Sequence, residues 1–353
     1  MPNLFGIALA YSYLCHTMIR IFENTDLRER NSFHVVQRAA RLAEFDRADE
    51  LPELFAEHIR GEWMALGGGN NILFTHDVEK TLVVPCNRET EIMAEDDASL
   101  TVKVGAGVEW DDFVEWCVAR GLWGTENLSL IPGKVGAAPV QNIGAYGAEA
   151  KDTITRVEIF RTEQGDFATL AAEECGFGYR DSIFKRSLKG RVIITAVEFR
   201  LSKTAKPNLG YGDVVREVEA RGGATLRNIR DAICSIRRSK LPDTAVTGNA
   251  GSFFKNPVVD TAVAERLKAQ YPDMPLYPAA DGTKAKLAAG WLIDKAGLKG
   301  YSEGRVGVHS RQALVLINLG GATGGEVIDF ARYVQAKVRE TFGIDIETEV
   351  NIL

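Results

Sequence analysis

Hydrophobic residues recur along this chain with two spacings, one typical of strands and one typical of helices. Alternating or continuous apolar positions predict strands over 41–45, 63–66, 72–74, 99–104, 155–161, 191–201 and 313–318. Apolar residues three and four positions apart predict helices over 49–58, 110–120, 226–240, 286–296 and 325–342. Thr225 is the expected N-cap of the helix over 226–240. The chain is therefore predicted to mix strands and helices throughout, and it contains no internal repeat.

Two glycine-rich stretches interrupt this pattern. Gly67–Asn71 reads Gly-Gly-Gly-Asn-Asn between two predicted strands, and a second stretch of small residues runs over 131–147. Consecutive glycines allow successive N–H groups to point into one concavity, so the first stretch is either a diphosphate nest or a flexible turn. The Rossmann spacing G-x-G-x-x-G is absent. Two such stretches in one domain favour a large cofactor with a diphosphate and planar rings.

A loop over 249–257 holds a serine in a shaped setting. Ser252 lies between Gly251 and the rings of Phe253 and Phe254, and Pro257 ends the loop. A hydroxyl fixed in this way can donate a proton to a developing carbanion. The alternative is a loop serine that only satisfies nearby backbone groups.

Two charged positions also allow two interpretations each. Arg180 stands between Tyr179 and Asp181, where it either binds a carboxylate or forms a structural pair with the neighbouring acid. Glu349 lies in an apolar, strand-like tail, where an acid is usually a solvated edge residue.

Cations and a tyrosine near the end of the middle third suggest a second binding region. Arg237 and Lys240 lie one turn apart at the end of the helix over 226–240. They could hold a diphosphate, or they could offset the helix dipole. Tyr211 stands between two glycines in a polar connection over 203–213, which suggests a mobile flap.

Composition bounds the class of protein. The chain has 353 residues, enough for two or three domains, with 45% apolar and 25% charged residues. A net charge of -6 provides no electrostatic surface for nucleic acid, but a flavin or a nucleotide-sugar remains possible. The five cysteines show no close pairing, which fits a reducing cytoplasm. The five histidines are scattered without metal-ligand spacing, so no metal site is predicted.

The first 30 residues form a predicted leader, either disordered or extraneous to the protein. The apolar run over 4–14 is too short to span a bilayer, and no basic residue precedes it. No cleavage pattern follows it, which disfavours a signal peptide. No other apolar run is long enough for a transmembrane helix, and we expect no membrane partner.

Taken together, the motifs resemble the UDP-N-acetylenolpyruvoylglucosamine reductase family of peptidoglycan synthesis. The resemblance covers about 31–350, and its motifs occur in family order at 69–73, 131–133, 141–147, 178–182 and 251–257. It implies an α+β fold, with an FAD-binding module of the vanillyl-alcohol-oxidase kind in two subdomains, 31–92 and 93–241. A C-terminal α/β substrate-binding domain over 242–353 would follow, with its tail returning to the active site. The Tyr211 loop looks like the form of the family that carries a tyrosine flap.

The resemblance also implies a role for each matching residue. Ser252 looks like the proton donor, and Arg180 and Glu349 look like the pair that stabilises the developing enolate. The FAD cradle would comprise Gly67, Gly68, Gly69, Asn70, Asn71, Pro132, Gly133, Gly136, Ala137, Ile143 and Gly144. Substrate contacts would come from Tyr146, Tyr211, Arg237, Lys240, Asn256 and Gln312. Ala137 and Ala138 stand where some relatives carry serines, so a hydroxyl contact to the flavin is not expected there.

The implied activity is the NADPH-dependent, FAD-mediated reduction of UDP-N-acetylglucosamine enolpyruvate to UDP-N-acetylmuramate, by a cytoplasmic monomer that serves cell-wall biogenesis, cell shape and division. Reduction of a vinyl ether requires a hydride at one carbon and a proton at the other, and no side chain supplies hydride. One alternative is another FAD oxidoreductase of the same fold. A second alternative is a non-catalytic binder of a UDP-sugar or a flavin.

Overall fold

A four-stranded sheet begins the fold in the computed structural model, which describes residues 19–210, 212–278 and 282–353. The strands of this region are β1 (Arg20–Asp26), β2 (Arg38–Phe45), β3 (Trp63–Ala65), β4 (Ile72–Leu73) and β5 (Val78–Pro85), of which β4 is not part of the sheet. The order in the sheet is β1-β2-β5-β3, with β1 antiparallel to β2 and the other pairs parallel. The helix predicted over 49–58 is a short helical segment with α1 (Leu51–Glu53) and a π-turn over Leu54–His58.

Strand β1 corrects the prediction of a leader over 1–30. It pairs along its length with β2, and Arg20 at its start forms ion pairs with Glu44 and Asp46. The leader interpretation is therefore wrong for residues 20–30. The strand was missed because its pattern, Arg-Ile-Phe-Glu-Asn-Thr-Asp, is mostly polar. Residues 1–18 lie outside the described residues.

A five-stranded sheet follows, in the order β11-β10-β12-β7-β6, with every neighbouring pair antiparallel. The strands of this region are β6 (Thr90–Glu95), β7 (Ser99–Gly105), β8 (Gly144–Ala145), β9 (Ala148–Glu149), β10 (Ile154–Arg161), β11 (Asp166–Ala171) and β12 (Val192–Ser202). The predicted strand pair is confirmed as β10 and β12. The helices are α2 (Trp110–Ala119), α3 (Gly212–Glu219) and α4 (Leu226–Lys240). Helix α4 has the predicted bounds, and Thr225 Oγ1 accepts a hydrogen bond from the Asn228 N–H at 3.1 Å.

The described residues of the last third form two three-stranded sheets and three helices. They comprise β13 (Val258–Asp260), α5 (Thr261–Gln270), β14 (Leu276–Pro278), β15 (Lys284–Leu287), α6 (Ala289–Lys295), β16 (Ser302–Glu303), β17 (Val306–Val308), β18 (Leu316–Asn318), α7 (Gly324–Phe342) and β19 (Asn351–Ile352). The helix predicted over 286–296 begins too early, because Lys284–Leu287 pairs with both of its neighbouring strands. The strand predicted over 313–318 is likewise confined to β18.

Two large cores position the site. One core joins the first sheet to the last third, and its fully buried side chains include Phe33, Leu82, Phe253 and Leu316. The other fills the space between the five-stranded sheet and helices α2 and α4. Strand β19 pairs in parallel with β4, so the tail of the chain returns to the first glycine-rich stretch. None of the described helices combines the length and the apolar character needed to cross a bilayer.

Candidate functional site

The two glycine-rich stretches meet in the fold. A Cβ placed on Gly67 would lie 3.3 Å from the Cβ of Ala137, and one on Gly68 would lie 3.3 Å from the Cα of Gly133. Asn71 Nδ2 donates a hydrogen bond to Gln141 Oε1 at 2.7 Å, which joins the stretches directly. The residues expected to cradle a cofactor therefore form one surface.

The shape of this surface depends on glycine at particular positions. Gly69 has φ +67°, and a Cβ there would collide with the carbonyl oxygen of Arg30. Gly133 has φ +126° and no atom closer than 3.7 Å to a Cβ position, so its backbone faces open space. Backbone without side chains can approach a flat ligand closely. These features fit a dinucleotide cofactor with a planar ring system.

Several predicted cofactor residues contribute shape rather than hydrogen bonds. The Gly136 N–H donates to the Ala106 carbonyl at 3.0 Å, and the Ile143 N–H donates to the Ala138 carbonyl at 3.1 Å. Both N–H groups are thus already used within the protein. Gly144 has a different constraint, since a Cβ there would lie 3.2 Å from an Arg180 guanidinium nitrogen.

The tail joins the serine loop to the first glycine-rich stretch. The Glu349 N–H donates to the Phe253 carbonyl at 2.8 Å, and the Lys255 N–H donates to the Glu347 carbonyl at 2.8 Å. On its other side, the Glu349 carbonyl accepts from Asn71 Nδ2 at 3.4 Å. The predicted catalytic residue Glu349 is therefore held between the residue after Ser252 and the predicted cofactor residue Asn71.

Ser252 itself is half-buried at the edge of this assembly. Its neighbours Phe253 and Phe254 are fully buried and pack edge to face, with ring centroids 5.2 Å apart. Among the described residues, the Ser252 hydroxyl makes no hydrogen bond. A backbone anchored by two buried rings thus presents a hydroxyl that is available to a ligand.

Arg180 and Glu349 form a largely buried ion pair. Arg180 Nε lies 2.9 Å from Glu349 Oε1, and the side chains keep only 21% and 11% of their surface exposed. Another guanidinium nitrogen of Arg180 donates to the Gly144 carbonyl at 2.9 Å. The Nε–H itself has no hydrogen-bond partner with good alignment, so the contact with Glu349 is electrostatic. An arginine held in this way still has N–H groups that can bind a carboxylate that enters the site.

Burial and charge act on Glu349 in opposite directions. Burial raises the pKa of Glu349, while Arg180, Lys185 and Lys255 oppose that rise. The expected solvated-edge interpretation of Glu349 is wrong, because the residue is buried and paired. The alternative pairing of Arg180 with Asp181 is also wrong, since Asp181 pairs instead with Arg186 at 3.3 Å.

Arg237 carries a charge that lacks a carboxylate partner among the described residues. Its Nε is buried without a hydrogen-bond partner, although the residue as a whole is only partly buried. Burial lowers the pKa of the Arg237 guanidinium, and the nearby phenol of Tyr146 opposes this effect. Tyr146 has φ +48°, and its carbonyl accepts from Asn127 Nδ2 at 2.8 Å. Asp111 also opposes the effect of burial, but its carboxylate pairs with Arg230, so the Arg237 cation is suited to an anionic ligand.

The remaining predicted substrate residues are placed by local contacts. Lys240 forms an ion pair with Asp213 at 2.5 Å, so its charge is already balanced. Asn256 Oδ1 accepts from the Ala289 N–H at 3.0 Å at the start of α6, and Gln312 Oε1 accepts from the Leu314 N–H at 3.4 Å. Tyr211 lies outside the described residues.

Lys185 and Tyr179 adjoin the site and were not predicted from the sequence. Lys185 Nζ donates to the Arg180 carbonyl at 3.2 Å. The Tyr179 ring lies between two cations, with Lys286 Nζ 4.5 Å and the Arg180 guanidinium carbon 5.6 Å from its centroid. Lys185 follows Arg180 by five residues, but nothing in that spacing indicates that its ammonium folds back onto Arg180.

One acidic cluster lies elsewhere, on the segment over 51–58. Ligand atoms of Glu53, Glu57 and His58 lie within 4.8 Å of one another. Each side chain keeps contact with solvent, and exposed acids often lie this close without an ion. We assign no metal to it.

Comparison with known proteins identifies the family. Residues 242–353 match the model of the UDP-N-acetylenolpyruvoylglucosamine reductase C-terminal domain, and 53–171 match an FAD binding domain. A reductase of that name from Chromobacterium violaceum is 49% identical, over 94% of this chain and 98% of the relative. The chain belongs to the UDP-N-acetylenolpyruvoylglucosamine reductase family.

Other members of the family show the same extent of similarity. Relatives of the same name from Bacteroides fragilis and Pseudomonas aeruginosa are 48% and 46% identical, over 93% and 95% of this chain and 98% and 99% of their own lengths. The crystal structure of the reductase from Thermus caldophilus aligns with a TM-score of 0.67 and 24% identity, over 95% of this chain and 99% of that one. At this identity, the structural likeness establishes the fold.

Family membership decides several predictions made from the sequence. The α+β fold, with an FAD-binding module followed by a C-terminal reductase domain, is confirmed. FAD is confirmed as the cofactor, and the chain is a flavin oxidoreductase. The boundaries of the two FAD subdomains and the roles of the individual side chains stay predictions.

Proposed function

We propose that this chain reduces UDP-N-acetylglucosamine enolpyruvate to UDP-N-acetylmuramate with NADPH, and that Ser252, Arg180 and Glu349 act together on the enolpyruvyl group. One observation carries the proposal: the tail places Glu349 against the serine loop, Arg180 and the glycine-rich surface at once. The residues of the two glycine-rich stretches would hold FAD, which would supply the hydride chemistry between NADPH and the methylene carbon. The related reductases named above carry this activity in their names.

Arg180 and Glu349 are proposed to stabilise the negative charge that develops on the substrate. Addition of hydride to the methylene carbon leaves a negative charge that spreads from the other carbon into the carboxylate. A guanidinium in a partly buried site of low dielectric constant stabilises that charge more strongly than water does. Glu349 holds the Arg180 guanidinium from one side and the Gly144 carbonyl holds it from the other, which preorganises it.

Ser252 is the proposed proton donor. Its hydroxyl has no partner among the described residues, and its backbone is fixed by the Phe253 N–H bond to the Leu314 carbonyl at 2.8 Å. A serine hydroxyl is a weak acid, so it can protonate only a strongly basic carbon held within hydrogen-bond reach. A loop whose backbone is fixed next to Ser252 supports that role.

Arg237 is the proposed anchor for the diphosphate, with Lys240, Asn256, Gln312, Tyr146 and Tyr211 as further substrate contacts. Arg237 has the strongest support, since its buried Nε lacks a partner. Lys240 would have to exchange its ion pair with Asp213 for one with the ligand. The cofactor surface is proposed to comprise the predicted residues of both glycine-rich stretches.

We also propose that the enzyme works as a cytoplasmic monomer. Four cysteines, Cys86, Cys117, Cys175 and Cys234, are free in the described part of the chain, which fits a reducing compartment. NADPH and nucleotide-sugars are intracellular metabolites, which supports the same location.

The test separates the two half-reactions in Ser252→Ala, with the exposed Ser187→Ala as a control. Under anaerobic conditions, NADPH should bleach the flavin of the variant at the wild-type rate. Recolouring by the enolpyruvyl substrate should then slow by about 10² to 10⁴, the usual contribution of a general acid. Normal recolouring in Ser252→Ala refutes the assignment of the donor. Wild-type flavin that recolours only when oxygen enters indicates another FAD oxidoreductase, and flavin that does not bleach indicates a binding protein.

A further inference from the structure

The Arg180 guanidinium is carried by a strained turn. Gly178 and Asp181 exchange two backbone hydrogen bonds, at 2.9 Å and 3.3 Å, so Tyr179 and Arg180 form the tip. Arg180 has φ +54°, a left-handed conformation that glycine adopts readily and that side chains disfavour. Such a strained residue persists only where its surroundings hold it, and it is often found at functional sites.

Lys185 supplies one of the contacts that hold this tip. Its Nζ donates to the Arg180 carbonyl at 3.2 Å. Lys185 ends a short helical turn over Ile183–Lys185, and Ser182 fixes the start of that turn. Ser182 Oγ donates to the Val140 carbonyl at 2.6 Å and accepts from the Phe184 N–H at 3.2 Å. The turn that carries Lys185 is therefore connected to the second glycine-rich stretch through the hydrogen bond from Ser182 to Val140.

Charged groups around Lys185 come from three segments of the chain. Glu349 lies on the tail, Lys255 lies on the serine loop, and Asp181 and Lys189 belong to the segment of Lys185 itself. Burial lowers the pKa of Lys185, Lys255 and Lys189 act in the same direction, and Glu349 and Asp181 oppose it. Lys185 in turn opposes the rise in the pKa of Glu349. The ammonium thus acts on both members of the Arg180–Glu349 pair, one through a hydrogen bond and the other through charge.

We propose that Lys185 is a positioning residue for the proposed reduction, which fixes the Arg180 peptide in its left-handed conformation and so aims the guanidinium at Glu349. The inference rests on the proposed function, because it assigns Lys185 a role only through Arg180 and Glu349. A displacement of about 1 Å in a catalytic group can slow a reaction about 10²-fold. Among the described residues, the Lys185 ammonium donates to the Arg180 carbonyl and not to the glycine-rich surface. Reduction of the flavin by NADPH should therefore not depend on Lys185.

The experiment compares Lys185→Met with Lys185→Arg, Lys185→Gln and the exposed control Lys299→Met. Lys185→Met should lower kcat for the enolpyruvyl substrate by roughly 10- to 100-fold. Its flavin should still be bleached by NADPH at close to the wild-type rate. Lys185→Arg should recover most of kcat, since a guanidinium can donate to the same carbonyl. Lys299→Met should match the wild type.

The pH profile distinguishes positioning from a purely structural role. Removal of the Lys185 charge removes an effect that lowers the pKa of Glu349. The limb of the kcat profile that depends on Glu349 should therefore move to higher pH in Lys185→Met and in Lys185→Gln. Lys185→Gln keeps a donor without the charge, so it also provides the measurement if Lys185→Met does not fold.

Two results would overturn the inference. One is a wild-type kcat and an unmoved pH profile in Lys185→Met or Lys185→Gln. The other is an equal loss in both half-reactions together with a lower melting temperature, which indicates a general structural role. Failure of the proposed function itself is distinct, because the wild-type flavin would then not recolour with the enolpyruvyl substrate.

Discussion

Replacing Arg237 by methionine should make the ligand-free protein more stable while it weakens binding of the substrate. The buried Nε of Arg237 has no hydrogen-bond partner, and burial lowers the pKa of the group. Within the described residues, no carboxylate forms an ion pair with it. Methionine preserves most of the packing of the stem and removes the uncompensated charge.

The size of the effect follows from the cost of the unpaired group. A buried donor without a partner costs about 1–3 kcal/mol, and a charged one more. Each 1 kcal/mol corresponds to a shift of about 2–4 °C in the melting temperature of a domain of 150–250 residues. We therefore expect the melting temperature of Arg237→Met to rise by at least about 2 °C in the absence of substrate. Loss of a charge-assisted hydrogen bond to the diphosphate should weaken binding of UDP by roughly 10- to 100-fold.

Thermal melts of the FAD-loaded protein and titration calorimetry with UDP measure the two effects. Arg238→Met is the matched control, because Arg238 is the exposed neighbour on the same helix. The control should change neither the melting temperature nor the affinity for UDP. A lower melting temperature in Arg237→Met would show that the guanidinium is satisfied in the ligand-free protein. Unchanged affinity for UDP would remove Arg237 from the diphosphate site.

Two further predictions concern the framework. A hydrogen bond from Arg227 is the main reason why the pKa of Glu115 falls to about 2, so Glu115 stabilises the fold above about pH 4.5 and loses this contribution as pH falls toward 2. Glu115→Gln should therefore flatten the loss of stability in this pH range, as followed by urea unfolding. In Gly136→Ala, the new Cβ would lie 2.5 Å from the Cβ of Ala106, which should destabilise the protein by about 1–3 kcal/mol. Adding Ala106→Gly should recover part of that loss, and additive losses would contradict the predicted contact.

The sequence predicted those elements whose bounds depend on residues close together in the chain. Helix α4 has its predicted bounds because a threonine cap and a regular apolar stripe agree over 15 residues. By contrast, β1 is mostly polar, so no periodicity marked it, and only its pairing with β2 reveals it. Lys286 and Leu287 were assigned to a helix, although they end β15, because that strand depends on partners at 258–260 and 276–278.

In the site, too, compact motifs were predicted from the sequence, whereas local patterns did not predict contacts between distant residues. The sequence indicated that Ser252, Arg180 and the glycine-rich stretches carry chemistry, since each motif is compact. The local pattern left the partner of Arg180 open, with the neighbouring Asp181 as a candidate, and only the family resemblance set Glu349 beside it. The structure pairs Arg180 with Glu349, 169 positions away, and leaves Asp181 to Arg186. No sequence pattern predicted Lys185 either, because its proposed role depends on its ammonium folding back onto the Arg180 carbonyl.

The tail explains why this site cannot be assembled from any one part of the chain. Glu349 is held by Phe253 from the last third and by Asn71 from the first, and β19 continues the connection by pairing with β4. Thr75 adds two hydrogen bonds to the Leu353 carbonyl, at 2.6 Å from its N–H and 2.7 Å from its hydroxyl. Contacts across such a distance in sequence must offset the entropy of closing a long loop, so local patterns do not determine them. The acid lies beside Arg180 because the tail is anchored on both sides, against the cofactor surface and against the serine loop.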